Sequence, residues 1–335
     1  MTRWPEHPDL PTERISPGFG LHVDLSGAPA RVLPDADVRQ ALARHGVVHL
    51  RGALADIAAF EKWSRAICPG FVRHPSPVRT AAGLDGATWT DVHGQEAMPA
   101  HIERGYAFPV PEVLFIYCRQ AAGRGGEITV HDGFEVYAAL PPDARATLSR
   151  TRLRWRLRIG PQDWTAMFGT DDAAKALSRF HRQILSMPVL EQGAGVRAST
   201  EGTRLVFDYQ TPATCRAERR PGEALANSML VHRLEHAGAS DAIELTDEHG
   251  HALPDDLVAA VAAAGARTGQ PIDLREGDLL CIDNRSVMHG RRAFADTRRE
   301  VYVRAGFRAS VALPRMRQYE PVTDSPAPTQ ARTLP

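Results

Sequence analysis

His101 and Glu103, separated by one isoleucine, and His289 far downstream are the residues whose types and spacing could do chemistry. In an extended strand residues i and i+2 point the same way, so His-x-Glu can offer two ligands to one metal ion. Two histidines and one carboxylate on one face leave three coordination positions open, the donor pattern of a non-haem Fe(II) site that must also admit O2 and a co-substrate. The pair alone is weak, because 14 histidines and 40 acids make a chance His-x-Glu common. In that bland case His101 is a satisfied polar histidine and Glu103 a surface ion-pair partner.

The distal segment adds weight. Gly277 to Arg291 reads GDLLCIDNRSVMHGR, and Arg298, Arg299 and Arg304 follow it. A strand enters a turn, His289 emerges from it, and arginines lie on the next strand. A co-substrate such as 2-oxoglutarate chelates iron through its 1-carboxylate and keto oxygen and leaves its 5-carboxylate to be clamped. A bidentate arginine suits that task better than lysine.

These motifs resemble the TauD/TfdA-type Fe(II)/2-oxoglutarate dioxygenases, and especially their SyrP-like branch. That branch reads HxEMxY, eleven further residues, Cys, then GGET. The chain has His101-x-Glu103-Arg104-Gly105-Tyr106, then Pro111, Cys118 and Gly125-Gly126-Glu127. The run from Gly277 to Arg299 is similar to the family's C-terminal signature, and Gly46 to Gly52 (GVVHLRG) to an early strand, so the likeness touches roughly Gly46 to Phe307. The resemblance implies a double-stranded β-helix, or jelly-roll barrel, with an all-β core and added helices. It implies His101, Glu103 and His289 as iron ligands and Arg298 as the 2-oxoglutarate clamp, with Arg299 in its place if the register slips by one. Arg304 becomes a second arginine for substrate or co-substrate. Two departures stand out: Ile128 occupies the position of a co-substrate-binding Thr, with Thr129 one residue on, and Arg104-Gly105 replaces Met-x.

The implied reaction couples decarboxylation of 2-oxoglutarate to oxidation of a C–H bond, with Fe(II), O2 and 2-oxoglutarate consumed or bound. Related halogenases lack the carboxylate ligand so that chloride can bind, so Glu103 favours hydroxylation. The SyrP-like likeness suggests an amino acid, a derivative, or a small molecule tethered to a carrier protein in secondary metabolism. Two other readings compete. His232, Glu235 and His236 form HxxEH, a zinc metallohydrolase pattern, but a solvated amphipathic helix is the preferred reading, since the zinc reading leaves His-x-Glu and the DNR…HGR segment unexplained. A barrel kept only to bind a small molecule is the other, and a buried Glu among histidines argues against it because it is costly without a cation. His93 is a rival for the metal pair, but Glu96 stands three residues away, on the wrong side of a strand. His249 and His251 read as solvated loop residues.

The elements that must position these groups can be read coarsely. Asp35 caps a helix through Arg44 that Gly46 ends, Val47 to Leu50 is a strand, and Ala53 to Ile67 is helical. Cys68 to Met98 has the texture of a loop. Val113 to Cys118 is a continuous apolar run, hence a buried strand, and Glu127 to His131 follows a Gly-rich turn. Phe134 to Leu140, Asp171 to Met187, Leu225 to Ala237 and Asp255 to Ala264 read as helices. Leu153 to Ile159, Arg204 to Tyr209, Leu279 to Asp283 and Glu300 to Phe307 read as strands. One domain over 1–318 is expected, with 319–335 a Pro-rich disordered tail.

Bulk properties exclude several classes. Net charge is zero, so no basic field attracts nucleic acid or anionic lipid, and a small-molecule substrate is expected. No stretch is apolar for long enough to span a membrane, and the first residues lack a signal-peptide core. The four cysteines are far apart with no CxxC pair, which fits a reducing cytoplasm.

Overall fold

The computed structural model describes residues 10–26, 35–72, 79–91, 94–106, 109–186, 195–231, 243–308 and 332–333. Its largest sheet has nine strands: β1 (Thr12–Ser16), β2 (Phe19–Asp24), β3 (Val47–Arg51), β4 (Gly70–Phe71), β5 (Ala81–Ala82), β6 (Thr88–Thr90), β8 (Val113–Gln120), β15 (Leu279–Asp283) and β17 (Glu300–Phe307). Their order is β1-β2-β3-β15-β8-β17-β6-β5, with β4 also on β17. A four-stranded sheet runs β14 (Gln270–Ile272), β9 (Ile128–Asp132), β16 (Val287–Arg291) and β7 (Met98–His101). A five-stranded sheet runs β13 (Ile243–Asp247), β10 (Arg152–Ile159), β12 (Arg204–Pro212), β11 (Gly195–Glu201) and β18 (Arg332–Thr333).

The nine- and four-stranded sheets share a core. Leu114, Ile116, Leu280, Ile282, Val301 and Val303 from the first pack with Ile128, Val130, Ile272 and Val287 from the second. Alternate residues of the same central strands, Phe115, Tyr117, Leu279, Cys281 and Tyr302, face the other way. There they meet helices α1 (Asp35–His45) and α2 (Ile57–Ile67). Apolar matter on both faces is why Val113 to Cys118 has no polar alternation. In α1 the buried Val38, Ala41, Leu42 and His45 recur at helical spacing, acids start the helix, and Gly46 closes it at φ +75. In α2, Asp56 accepts a hydrogen bond from the Ala59 N–H at 2.7 Å.

Helices α3 (Gly133–Ala138), α4 (Pro142–Leu148), α5 (Pro161–Phe168), α6 (Ala173–Ser186) and α7 (Asp255–Thr268) lie later in the chain. Buried α7 residues Leu257, Val258 and Val261 join Ala100 and Met288 on the outer side of the four-stranded sheet. In β10, Leu153 and Trp155 are buried while Arg154 and Arg156 bond Asp208, as a half-exposed strand requires.

The chain is thus mostly β with several helices, and among the described residues no sheet closes into a barrel. The span 68–98 is less loop-like than expected, since it holds β4, β5 and β6 and begins β7. The helix expected from Leu225 to Ala237 is another departure: Leu225 to Ser228 are irregular and only Met229 to Val231 are helical among the described residues. The reason is tertiary, because the Leu225 N–H donates to Gly133 O at 2.8 Å and the Asn227 carbonyl accepts from Ile102 N. The 318/319 boundary falls outside the described residues, and of the tail only Arg332 and Thr333 are described, paired with Val196 and Gly195.

Candidate metal centre

His101 ends β7 and His289 lies at the middle of β16, directly across the ladder from it. Their rings approach with centroids 4.2 Å apart. Glu103 follows in the turn after β7, and its Oε2 is 3.9 Å from His289 Nε2. One ligand atom from each of His101, Glu103 and His289 lies within 4.8 Å of the others, close enough for one cation to gather, and no other such group occurs among the described residues.

Burial, the largest influence, holds both imidazoles below the usual histidine pKa, His289 especially, so both are neutral donors. The His101 Nδ1–H donates to the Pro99 carbonyl at 2.8 Å, which fixes the tautomer and leaves Nε2 to ligate. His289 Nδ1 is buried with no hydrogen-bond partner among the described residues. Two neutral imidazoles and a carboxylate fit a divalent first-row cation.

The Glu103 turn is held from three directions. Asn284, fully buried, accepts from the Glu103 N–H at 2.7 Å and donates from Nδ2 to the Glu103 carbonyl at 3.0 Å and to Pro111 O at 2.8 Å. Ser228 donates to Ile102 O at 2.8 Å. Arg79 donates to Glu103 Oε2 at 3.0 Å. Neither Asn284, seen in sequence only as part of DNR, nor Ser228 nor Arg79 was singled out by type and spacing. Only their three-dimensional contacts reveal them.

A small cavity beside the histidines is lined in part by Arg79, Asp91, Ile116, Ile128, Arg291 and Val303. Asp91 Oδ2 accepts from Arg299 at 2.7 Å and from Arg291 at 3.0 Å. Burial alone would raise the Asp91 pKa, but Arg299, Arg291 and Arg79 outweigh it and keep the carboxylate ionised. Arg291 also donates to the Gly94 and Glu96 carbonyls, each at 3.1 Å. Arg291 and Arg299 both lie over the Phe294 ring at 5.0 Å.

Three sequence expectations need correcting here. The Arg298 side chain is 75% exposed and held by Asp296 in a local turn, whereas that of Arg299 is 5% exposed and bonded to Asp91, which lines the cavity. Arg304 points to the far side of β17, where it is fully buried, ion-paired to Glu61 and Asp85, and stacked on Phe71 at 4.0 Å. Strand parity sends it there, since Val301, Val303 and Ala305 already face the shared core. Thr129 is on the outer face of β9, and its hydroxyl donates to His131 Nε2 at 2.9 Å while His131 Nδ1–H donates to Gly265 O. Ile128 is the β9 residue that reaches the cavity. Arg291, which does reach it, was read only as part of HGR. His93, His232, Glu235 and His236 lie outside the described residues. His249 and His251 are exposed around Asp247.

With this geometry in hand, comparison with known proteins defines the class. The model of the taurine catabolism dioxygenase TauD, TfdA family matches residues 11–305, and the chain belongs to that family. Membership carries the cofactor set of Fe(II), 2-oxoglutarate and O2. No curated protein matches the chain. Among solved structures it is similar to PvcB from Pseudomonas aeruginosa, at 16% identity and TM-score 0.56, over 89% of this chain and 90% of that one. A second PvcB structure, described as an Fe, alpha-ketoglutarate dependent oxygenase from an isonitrile synthetic pathway, aligns with TM-score 0.53 at 16% identity, over 89% of this chain and 90% of that one. A taurine dioxygenase from Burkholderia xenovorans aligns with TM-score 0.52 at 15% identity, over 89% of this chain and 90% of that one. At such identities the likeness speaks to the fold. No helix among the described residues is long and apolar enough to cross a membrane.

Proposed function

We propose that this oxygenase hydroxylates an unactivated C–H bond of an amino acid, an amino-acid derivative or a carrier-tethered small molecule in secondary metabolism. The observation that carries the reading is the convergence of His101, Glu103 and His289 within 4.8 Å beside a cavity lined by arginine. Bound ferrous iron would supply O2 activation, so that 2-oxoglutarate leaves as CO2 and succinate, with one oxygen atom in succinate and the other in the C–OH. His101 and His289 hold the metal as neutral donors, and Glu103 contributes the anionic ligand. Retention of that carboxylate favours hydroxylation over chlorination.

Arg299 is the residue assigned to the 5-carboxylate of 2-oxoglutarate, with Arg291 beside it on the same carboxylate of Asp91. Ile116, Ile128 and Val303 make the remaining wall apolar and keep water from the reacting carbon. Two facing sheets with His101 and His289 on the smaller, and Glu103 in the turn after it, are read as an open double-stranded β-helix within one domain.

The test is anaerobic titration with Fe(II) and then 2-oxoglutarate, observing the visible charge-transfer band of the chelate. A band in the wild type that is absent from His289→Ala supports the reading. Iron binding without a band removes 2-oxoglutarate from it. Full turnover by Glu103→Ala would remove the ligand assignment.

A further inference from the structure

Arg104, immediately after the ligand Glu103, adopts φ 58 and is the one non-glycine residue with positive φ among the described residues. That conformation costs an ordinary residue on the order of 1 kcal/mol, and a glycine would adopt it freely. The turn nevertheless holds an arginine there. Asn284 and Ser228 fix the peptides before it, and Gly105 after it is so closely packed that a Cβ would meet Ser228 Oγ at 2.4 Å.

Among the described residues no carboxylate is bonded to the guanidinium. Its Nε is buried with no hydrogen-bond partner among the described residues, and Glu103 acts on it through space without bonding it. Burial lowers its pKa, with Tyr106, Glu103 and Arg79 the charged neighbours that act on it, yet the residue keeps partial solvent access. Glu103 is already engaged by Arg79, and Asp91 by Arg291 and Arg299. Among the described residues, four guanidiniums (Arg79, Arg104, Arg291, Arg299) therefore stand against two carboxylates (Asp91, Glu103) around the centre. A divalent cation adds two positive charges and 2-oxoglutarate removes two, so the excess remains. A largely desolvated guanidinium without a bonded anion gains from a working partner that brings one.

The geometry points to Arg104 as the anchor for a carboxylate on the organic substrate, held one residue from the metal ligand and distinct from the 2-oxoglutarate clamp at Arg299. This deepens the proposed hydroxylase reading and rests on it for the identity of the neighbouring metal and co-substrate. It narrows the substrate to molecules that present a free carboxylate near the oxidised carbon. An acyl group whose carboxylate is consumed in a thioester to a carrier must offer a second acid.

The test uses the full chain loaded anaerobically with Fe(II) and saturating 2-oxoglutarate, which occupies Arg299. Acetate and benzoate, each against its neutral match acetamide or benzamide, are titrated at constant ionic strength, with thermal midpoint and the charge-transfer band as readouts. In the wild type the acids raise the midpoint saturably and the amides do not. Arg104→Met and Arg104→Gly weaken the acids by on the order of tenfold or more, with the band intact, and Arg104→Lys retains part of the effect. Arg104→Gly also raises the midpoint without added anion, because strain and an unpaired charge are both removed. A merely structural arginine would instead lower it. Equal response to acid and amide in the wild type, an unchanged acid response in Arg104→Met, or a lowered midpoint in Arg104→Gly overturns the assignment. A missing band in the wild type defeats the oxygenase reading separately, and the acid-against-amide comparison still judges Arg104.

Discussion

Asn284 and Glu103 are 181 residues apart in sequence, yet one side-chain amide satisfies both the N–H and the C=O of the ligand's own residue. Groups that orient a metal ligand commonly matter tenfold to a hundredfold in metal affinity. Asn284→Ala is therefore expected to weaken Fe(II) binding by about that factor, read by anaerobic metal titration, while the chain stays folded. Arg299→Met should weaken 2-oxoglutarate by roughly tenfold to a hundredfold, since a charge-assisted contact is lost. Arg298→Met, at a solvent-exposed turn, should leave the midpoint of the charge-transfer titration where it was. The His-x-Glu pair was legible from its spacing together with the distal His289 segment, although β7 ends at His101 and Glu103 stands in the turn beyond it rather than on the strand. The choice between Arg298 and Arg299 was not, because Asp296 captures the first in a turn by local hydrogen bonds that no spacing reveals.

At the scale of elements, the strands and helices of the shared core were the readable part. Val113 to Cys118, Leu279 to Asp283, Glu300 to Phe307 and the helix from Asp35 all declared themselves by apolar run, period or cap. Short strands such as β6 and β7, and the irregular Leu225 to Ser228, did not, because they owe their form to distant partners. Thr129 and Arg304 illustrate a sharper limit. Their strands were found, but a one-residue parity error sends a side chain to the opposite face.

The end of α1 offers a pH prediction. Burial, then Arg14, Arg44 and Arg219, lowers His45 from its ordinary 6.5 to about 4. Because the unfolded chain binds this proton more readily, His45's contribution is fully present above pH 6.5 and is lost as pH falls towards about 4. Urea denaturation across that window should show stability falling, and His45→Gln should flatten the fall.

For the whole molecule, the far face of the nine-stranded sheet carries a buried ionic knot. Arg304 reaches Asp85 at 2.7 Å and Glu61 at 3.4 Å, and Glu61 in turn accepts from Thr88 Oγ1 at 2.8 Å and from the Leu84 N–H at 3.0 Å. These bonds tie α2, the β5–β6 hairpin and β17 together, and β6 delivers Asp91 to the cavity. Breaking one partner of such a pair leaves another charge stranded, at a cost of roughly 3–5 kcal/mol. Arg304→Met is expected to lose that much in denaturant unfolding while keeping 2-oxoglutarate affinity in the protein that remains folded. Loss of affinity without loss of stability would instead return Arg304 to the co-substrate site.

Asp91 on its two arginines has a consequence for turnover. On the proposed reading, entry of 2-oxoglutarate exchanges one carboxylate for another at Arg291 and Arg299, so the contest at that end is nearly even. What tips it is the grip of the keto acid at the metal. Succinate keeps the distal carboxylate but has lost that grip, and Asp91 stands ready to reclaim the arginines. The same side chain that makes the co-substrate compete for its place thereby helps expel the spent product, and Asp91→Asn should show tighter succinate inhibition than the wild type.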